Sequence, residues 1–426
     1  MIALSVRHQI ENDPAYKVKA IVADIENRFH VKVSYKKAWY ARRTAIELVY
    51  GGWEWSFKVL PSYLNEMQRQ NPGIIVEWLH DDRLSRGVNK VFKYVFWAFG
   101  PAVEAFQLCK PVLTVDGTHL HGRCRGKILI AVGFDANKKC LPVAFAIVDE
   151  KTKESWNWFM ERIRLHVAKH EICVISDRHV GIIDAMNSPI WKEEPKGYHR
   201  FCLVHVRKNV LQNHKGIMVK RLVWKMGIAT KKRKFKKRRR LLRDVNNEAL
   251  QYLDTVDKEK WNLAYDNHKR WGEMTTNVVE SYNNVLRGAR ELPIKACIDM
   301  TFWRTIEWFN QRSIASTQCA TPLTPWAHEK VCKNDAKGQL HNVRAPSTMR
   351  GIYVVRTQRR VGGKGGNKWK VKYLESNCKC QKWQMWRLPC SHAAAVVRFR
   401  NDNMLSLVNP VYHTSVWALS YFTYTT

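Results

Sequence analysis

Negative charge is the scarcest property of this chain: 37 Asp and Glu stand against 72 Lys and Arg in 426 residues, a formal net charge of +35. A surface that unbalanced carries extended positive potential and seeks a polyanion, for which nucleic acid is the expected partner. Long apolar runs are missing as well. No stretch of eighteen apolar residues occurs, so no membrane-spanning helix is expected. The start, MIALSVRHQIENDPAYK, lacks the basic segment and apolar core of a secretory signal, and a soluble protein with no membrane partner is the expectation. Cysteine is absent before Cys109, which excludes a Cys-ligated zinc finger from the first hundred residues. The eleven cysteines are an odd number spread through a large chain, a usage that fits reduced thiols serving as metal ligands or buried side chains rather than disulfides.

Against this sparse acidity three carboxylates stand out. VLTVDGTHL (112–120) is an apolar β-run that delivers Asp116, ICVISDRH closes a second apolar run on Asp177, and Glu280 sits in TTNVVESYNN at the start of a predicted helix. Three converging carboxylates would hold two divalent ions roughly 3.5–4 Å apart, the arrangement used for phosphodiester cleavage and strand transfer. Each acid also has an ordinary reading: Asp116 before Gly117 can begin a turn, Asp177 can cap a helix, and Asn277-x-x-Glu280 fits a capping box.

Taken in order, 1–72 reads as a helical, helix-turn-helix-like region: apolar residues recur at helical spacing over 18–29, Ser34 is a good N-cap for a helix running to Tyr50, and a third helix covers 61–69. Lys36, Lys37, Arg42 and Arg43 on the second helix suit phosphate contacts. Residues 73–206 read as the first part of an α/β core. A strand pair lies in 73–98 and a helix over 102–108. Next come a three-strand meander over 112–148, a helix over 155–167, the strand before Asp177, another helix, and a strand HRFCLVHV. That β-β-β-α-β-α-β order is the order of a ribonuclease H-like core, in which the first and fourth strands are neighbours. Residues 207–270 form a basic helical insertion. Its run KKRKFKKRRR (Lys231, Lys232, Arg233, Lys234, Lys236, Lys237, Arg238, Arg239, Arg240) reads as a phosphate-binding arm or nuclear import signal. Residues 271–320 close the core with Glu280 on a helical stretch, 321–347 is polar and reads as a linker, and 348–426 opens with two strands joined by VGGKGGN.

In that last domain Cys378-x-Cys380 is followed by Cys390-x-His392 and the helical run AAAVVRF. Three thiolates and an imidazole make a closed tetrahedral site, so the predicted Zn²⁺ is structural. Cys202-x-x-His205 supplies two further ligand-type residues, too few for a zinc site, and reads as a structural pair of the core.

These segments together resemble the plant Mutator-like transposases: VDGTHL, SDRH, the Cys202-x-x-His205 pair, RWGEMTTNVVESYN, RELPI and the terminal Cys-x-Cys…Cys-x-His cluster, which looks like a SWIM zinc finger. SYKKAWYARRTA and YLNEMQRQNPG extend the resemblance over nearly the whole chain. It implies a ribonuclease H-like domain, interrupted by a helical insertion, that cuts and joins DNA at terminal inverted repeats. The implied DDE triad is Asp116, Asp177 and Glu280 with Mg²⁺ or Mn²⁺, and the Cys202/His205 signature accompanies the catalytic core. DNA ends and target DNA are the expected partners, homo-oligomerisation stays open, and the nucleus is the expected compartment. Members of the family usually begin with a Cys/His zinc-binding DNA-recognition domain that this sequence does not show. A DNA-binding regulator akin to the far-red impaired response proteins, or an inactive truncated remnant, are the competing expectations.

Overall fold

The computed structural model describes residues 1–87, 90–123, 125–358 and 366–422. Its centre is a seven-stranded sheet built from β1 (Ile75–His80), β2 (Phe92–Ala98), β3 (Val112–His119), β4 (Lys127–Phe134), β5 (Cys140–Val148), β6 (Ile172–Ser176) and β7 (Gly197–Phe201). The strands lie in the order β1-β2-β5-β4-β3-β6-β7. β3, β4 and β5 form the expected antiparallel meander, and β3 pairs parallel with β6 through Val112–Cys173, Leu113–Val174 and Thr114–Ile175. The first and fourth core strands are therefore neighbours, as the sequence order suggests. A parallel pair needs a crossover, and the helix Lys153–Arg162 with its π-helical extension Ile163–Val167 provides it. Thr152 and Ser155 cap that helix reciprocally. Trp156, Phe159, Ile163 and Val167 are all buried against the sheet, so one apolar stripe seals its face.

Glu280 arrives on the helix Asn277–Val285, whose Val279 and Tyr282 are buried in the same core. The expected helical stretch over 280–316 is broken in two, because Pro293 has no amide to continue a helix; it instead precedes the long helix Ile294–Thr317 as its N-cap. The third N-terminal helix is also longer than expected, Trp53–Gln70, with Pro61 inside it. Helices Val18–Phe29 and Tyr35–Tyr50 bury Ile21, Ile25, Ala38, Ala45 and Ile46 against Leu292 and Ala296 of the core.

Two further expectations need correction. HRFCLVHV is not one strand: β7 stops at Phe201, and Cys202 is the N-cap of the helix Leu203–Asn213, whose first amide donates to Met274 O at 2.8 Å. The segment 321–347 is not a free linker. It holds the helix Pro325–Gly338, with Pro325 in the first turn where its missing N–H costs nothing, and then β8 (His341–Ser347). Its polarity reflects an edge strand of alternating exposure. β8 joins β9 (Ile352–Thr357), β10 (Lys368–Lys372) and β11 (Asn377–Cys378) in a second antiparallel sheet ordered β11-β10-β9-β8. The glycine-rich connection falls largely within 359–365, outside the described residues.

Candidate metal and nucleic-acid site

β3 carries Asp116 within its last turns of pleat, and Asp177 follows directly on the end of β6, so the parallel pairing of these strands sets both carboxylates on one edge of the sheet. Both are half-buried. Asp116 Oδ1 accepts the Gly117 amide at 2.7 Å and lies 3.8 Å from Lys151 Nζ, and Asp116 Oδ2 accepts Asn283 Nδ2 at 3.0 Å. Asn283 is one turn beyond Glu280 on the same helix, so this bond pins the glutamate's helix to the aspartate's strand. A Cβ at Gly117 would sit 2.6 Å from Lys151 Cε and 2.7 Å from a Leu129 methyl, so a larger residue there displaces the end of the Lys151 or Leu129 side chain. Burial pushes the Asp116 carboxyl above its ordinary value, the Lys151 ammonium and Gly117 amide oppose that rise, and the Asp177 charge adds to it.

Asp177 Oδ1 accepts the His179 amide at 3.0 Å, and His179 itself caps the helix Val180–Asn187. Asp177 thus does part of the turn work that its ordinary reading assigns. Glu280 does not close a capping box. The helix N-cap is Thr276, and the Thr276 hydroxyl lies 2.9 Å from Glu280 Oε1.

The same hydroxyl is 3.3 Å from Cys202 Sγ, and the Thr276 amide donates to that sulfur at 3.3 Å. Cys202, His205 and Glu280 present ligand atoms that all lie within 4.8 Å of one another. Burial raises the Cys202 thiol, yet its interactions with His205 and Thr276 hold it below the ordinary thiol value. His205 is raised by Cys202 and, further, by the charges of Asp177 and Glu280. Charge thus couples Asp116 to Asp177 and His205, and His205 to Asp177 and Glu280; among the described residues Asp116, Asp177 and Glu280 do not form a group whose ligand atoms all lie within 4.8 Å of one another.

RWGEMTT, upstream of Glu280, works as a tie bar. Arg270 is fully buried and donates to Phe201 O and Lys260 O, and Asp266 takes the Arg270 amide at 2.9 Å and Arg200 Nε at 2.7 Å. Gly272, at φ +82°, faces Trp386 so closely that a Cβ would overlap the indole nitrogen. Glu273 joins the fully buried Lys110 at 2.9 Å and Lys138 at 2.8 Å. RELPI is tied in the same way: Arg290 donates to Thr118 Oγ1 on β3, and Glu291 pairs with Arg42.

That pairing corrects one nucleic-acid contact. Arg42 is buried, donating to Pro14 O, to Tyr16 O and to Glu291, and is an anchor of the N-terminal helices. Lys36 and Lys37 are exposed, and Arg43 lies over the Trp39 ring. A groove of about 990 Å³ at the end of β3 is lined by Trp39, Arg43, Arg123 and Arg125, with the edge of Arg42 and the carboxylates of Asp149, Glu150 and Glu291 also on its wall. The basic run forms the helix Lys232–Val245. Lys232, Arg233, Lys234, Lys236, Lys237 and Arg240 are exposed on it. Lys231, Arg238 and Arg239 are spent within the protein: on the Trp369 ring at 3.2 Å, on Lys225 O and on Asp254.

At the far end Cys378, Cys380, Cys390 and His392 are all buried, with their ligand atoms within 4.8 Å of one another. Cys380 Sγ is 3.5 Å from Cys390 Sγ, and His392 Nδ1 is 3.5 Å from Cys378 Sγ and 3.8 Å from Cys390 Sγ. Zn–S bonds of about 2.3 Å at tetrahedral angles put ligand atoms roughly 3.5–3.8 Å apart, so the four fit one zinc ion without rearrangement. Cys378 closes β11 and His392 lies in the first turn of the helix Ser391–Arg400.

Residues 112–209 match the family profile of the MULE transposase domain, and residues 369–401 match that of the SWIM zinc finger. The chain carries a MULE transposase domain and a SWIM zinc finger. No curated protein matches the chain. The MULE segment contains Asp116, Asp177, Cys202 and His205, and Glu280 lies beyond it across the insertion. Sequence reasoning missed Lys151, Thr276 and Asn283. Thr276 and Asn283 flank Glu280 within the quoted motif and carry that much signal, whereas nothing around Lys151 marks it. The SWIM finger is packed against the insertion rather than hung from a tether: Met385 joins the insertion's core and His268 meets Gln381 at 2.9 Å.

Proposed function

We propose that the chain is a Mutator-like DNA transposase, or a protein derived from one, whose ribonuclease H-like core uses Asp116, Asp177 and Glu280 as a DDE triad at transposon ends. The observation that carries this reading is the parallel pairing of β3 with β6 inside a MULE transposase domain, with the Glu280 helix bonded to Asp116 through Asn283. Three carboxylates brought to one site would be an all-oxygen donor set, which suits Mg²⁺ or Mn²⁺. Two such ions would activate a water or 3′-hydroxyl and stabilise the leaving oxygen of the phosphodiester. The protein's own share is placement. Lys151 and Asn283 orient the Asp116 carboxylate, Thr276 orients that of Glu280, and the groove from Trp39 to Arg125 takes the sugar-phosphate backbone. The exposed face of the helix Lys232–Val245 adds phosphate contacts, and the same basic run serves nuclear import. Among the described residues no helix is long and apolar enough to cross a membrane.

The test is strand cleavage and joining on DNA carrying terminal inverted repeats, with Mg²⁺ or Mn²⁺, for wild type and Asp177→Asn. The reading expects cleavage by the wild type, its loss in the variant, and equal DNA retention by both. Equal cleavage by the two proteins contradicts it.

A further inference from the structure

Cys202, His205 and Glu280 form a second group of metal ligands, of a different chemical kind from the triad. We infer that they bind one thiophilic divalent ion, Zn²⁺ or its mimics Co²⁺ and Cd²⁺, which draws Glu280 away from the strand-transfer carboxylates. The three ligand atoms already lie within 4.8 Å of one another, and a thiolate, an imidazole and a carboxylate are a donor set that selects zinc over magnesium. Local structure aims them inward. Cys202 is the N-cap of the helix Leu203–Asn213, so His205 stands one turn on, and the Thr276 amide and hydroxyl fix the sulfur from the other side. His205 Nδ1 is buried and has no hydrogen-bond partner among the described residues, an unmet polar atom whose burial costs free energy unless something fills its valence. Three protein ligands leave a fourth position open, as in zinc sites that exchange a ligand, whereas the SWIM finger is closed by four.

The position of Glu280 makes the two metal chemistries exclusive. This consequence rests on the proposed triad; the binding site itself rests on the cluster alone. With zinc on Cys202 and His205, the Glu280 carboxylate is committed to that ion, and Mg²⁺-dependent cleavage stops without loss of DNA affinity.

The experiment uses the full chain with its SWIM finger loaded. Metal content is measured after equilibration at buffered micromolar free Zn²⁺; to a separate sample holding one zinc ion per chain, in the SWIM finger, Co²⁺ is added while thiolate-to-cobalt absorption is recorded. The inference expects two zinc ions per wild-type chain and one per chain of Cys202→Ser or His205→Ala. It also expects a cobalt–thiolate band that vanishes in Cys202→Ser, and at least about tenfold weaker cobalt binding in Glu280→Gln. Far-ultraviolet circular dichroism checks that each variant is folded, and His205→Ala and Glu280→Gln decide the matter should Cys202→Ser fail to fold. One zinc per wild-type chain, or cobalt uptake unchanged by His205→Ala and Glu280→Gln, overturns it and leaves Cys202 as a hydrogen-bonded core thiol. Cleavage by a wild type that takes up only one zinc sinks this site and spares the transposase reading. A second zinc taken up by protein that already showed no Mg²⁺- or Mn²⁺-dependent cleavage with only its SWIM finger loaded does the reverse.

Discussion

The two cysteine–histidine clusters use the same side chains to opposite ends. In the SWIM finger four ligands are gathered from about fifteen residues, all buried, within a small core cluster. In the MULE core two ligands lie on one helix turn, a third comes from a helix that follows the whole basic insertion, and a large sheet holds them all. Closure by local sequence makes a structural metal site. An incomplete set on a rigid scaffold beside carboxylates makes a site open to exchange.

The largest effect expected from that contrast is at the finger. Coordination of structural zinc is worth about 10–16 kcal/mol in isolated fingers, far beyond what the small cluster around Tyr353, Val371 and Trp383 provides. Chelation, or Cys390→Ser, is expected to unfold β8 to the helix Ser391–Arg400 while the seven-stranded sheet keeps its protection in hydrogen exchange. Simultaneous loss of protection in β3 and β6 would show that the two regions form one cooperative unit.

Next in size is the Arg42 anchor. Arg42→Ala leaves Glu291 and the carbonyls of Pro14 and Tyr16 unpaired, and breaking such a pair costs about 3 kcal/mol. Urea titration should register that loss with DNA affinity little changed; a variant of wild-type stability that binds DNA more weakly would return Arg42 to the interface.

The basic helix divides likewise. Replacing Lys232, Arg233, Lys234, Lys236, Lys237 and Arg240 with Ser should flatten the slope of log affinity against log salt by up to about 5, at roughly 0.9 for each phosphate no longer neutralised. Arg239→Ala should leave the slope alone and cost under about 1 kcal/mol, as exposed ion pairs do.

The smallest effect concerns Asp116 in metal-free protein. Its carboxyl is raised by burial, so the folded state binds more protons than the unfolded one just above the ordinary carboxylate range. Stability falls as pH rises through that window, and the deficit persists at neutral pH. Asp116→Asn should therefore melt slightly higher than wild type at pH 7, the gap closing in acid. A lower melting point would mean that the bonds to Lys151 and Asn283 outweigh the desolvation.

Much of this was legible in the chain. The core strands announce themselves as apolar runs, and Cys378 to His392 carries its zinc site in local spacing. The parallel pairing of β3 with β6 was legible only through the order of elements. What escaped was set by contacts distant in sequence. A basic face on 34–50 looks the same whether Arg42 faces solvent or Glu291, 249 residues away. Pro293 interrupts a stretch that reads as one helix, and Pro325 begins a helix inside a segment that reads as a linker. Lys151 acquires meaning only because Gly117 leaves it room beside Asp116.

The claim on which the account turns is that Asp116, Asp177 and Glu280 serve one divalent-ion site. The most direct measurement is anomalous scattering from crystals of the full chain, free of added zinc, grown with a DNA end and Mn²⁺. The account predicts manganese peaks bound by oxygens of Asp116 and Asp177, with Glu280 at the same centre. Manganese bound elsewhere, or any one of the three carboxylates remote from it, would contradict the account.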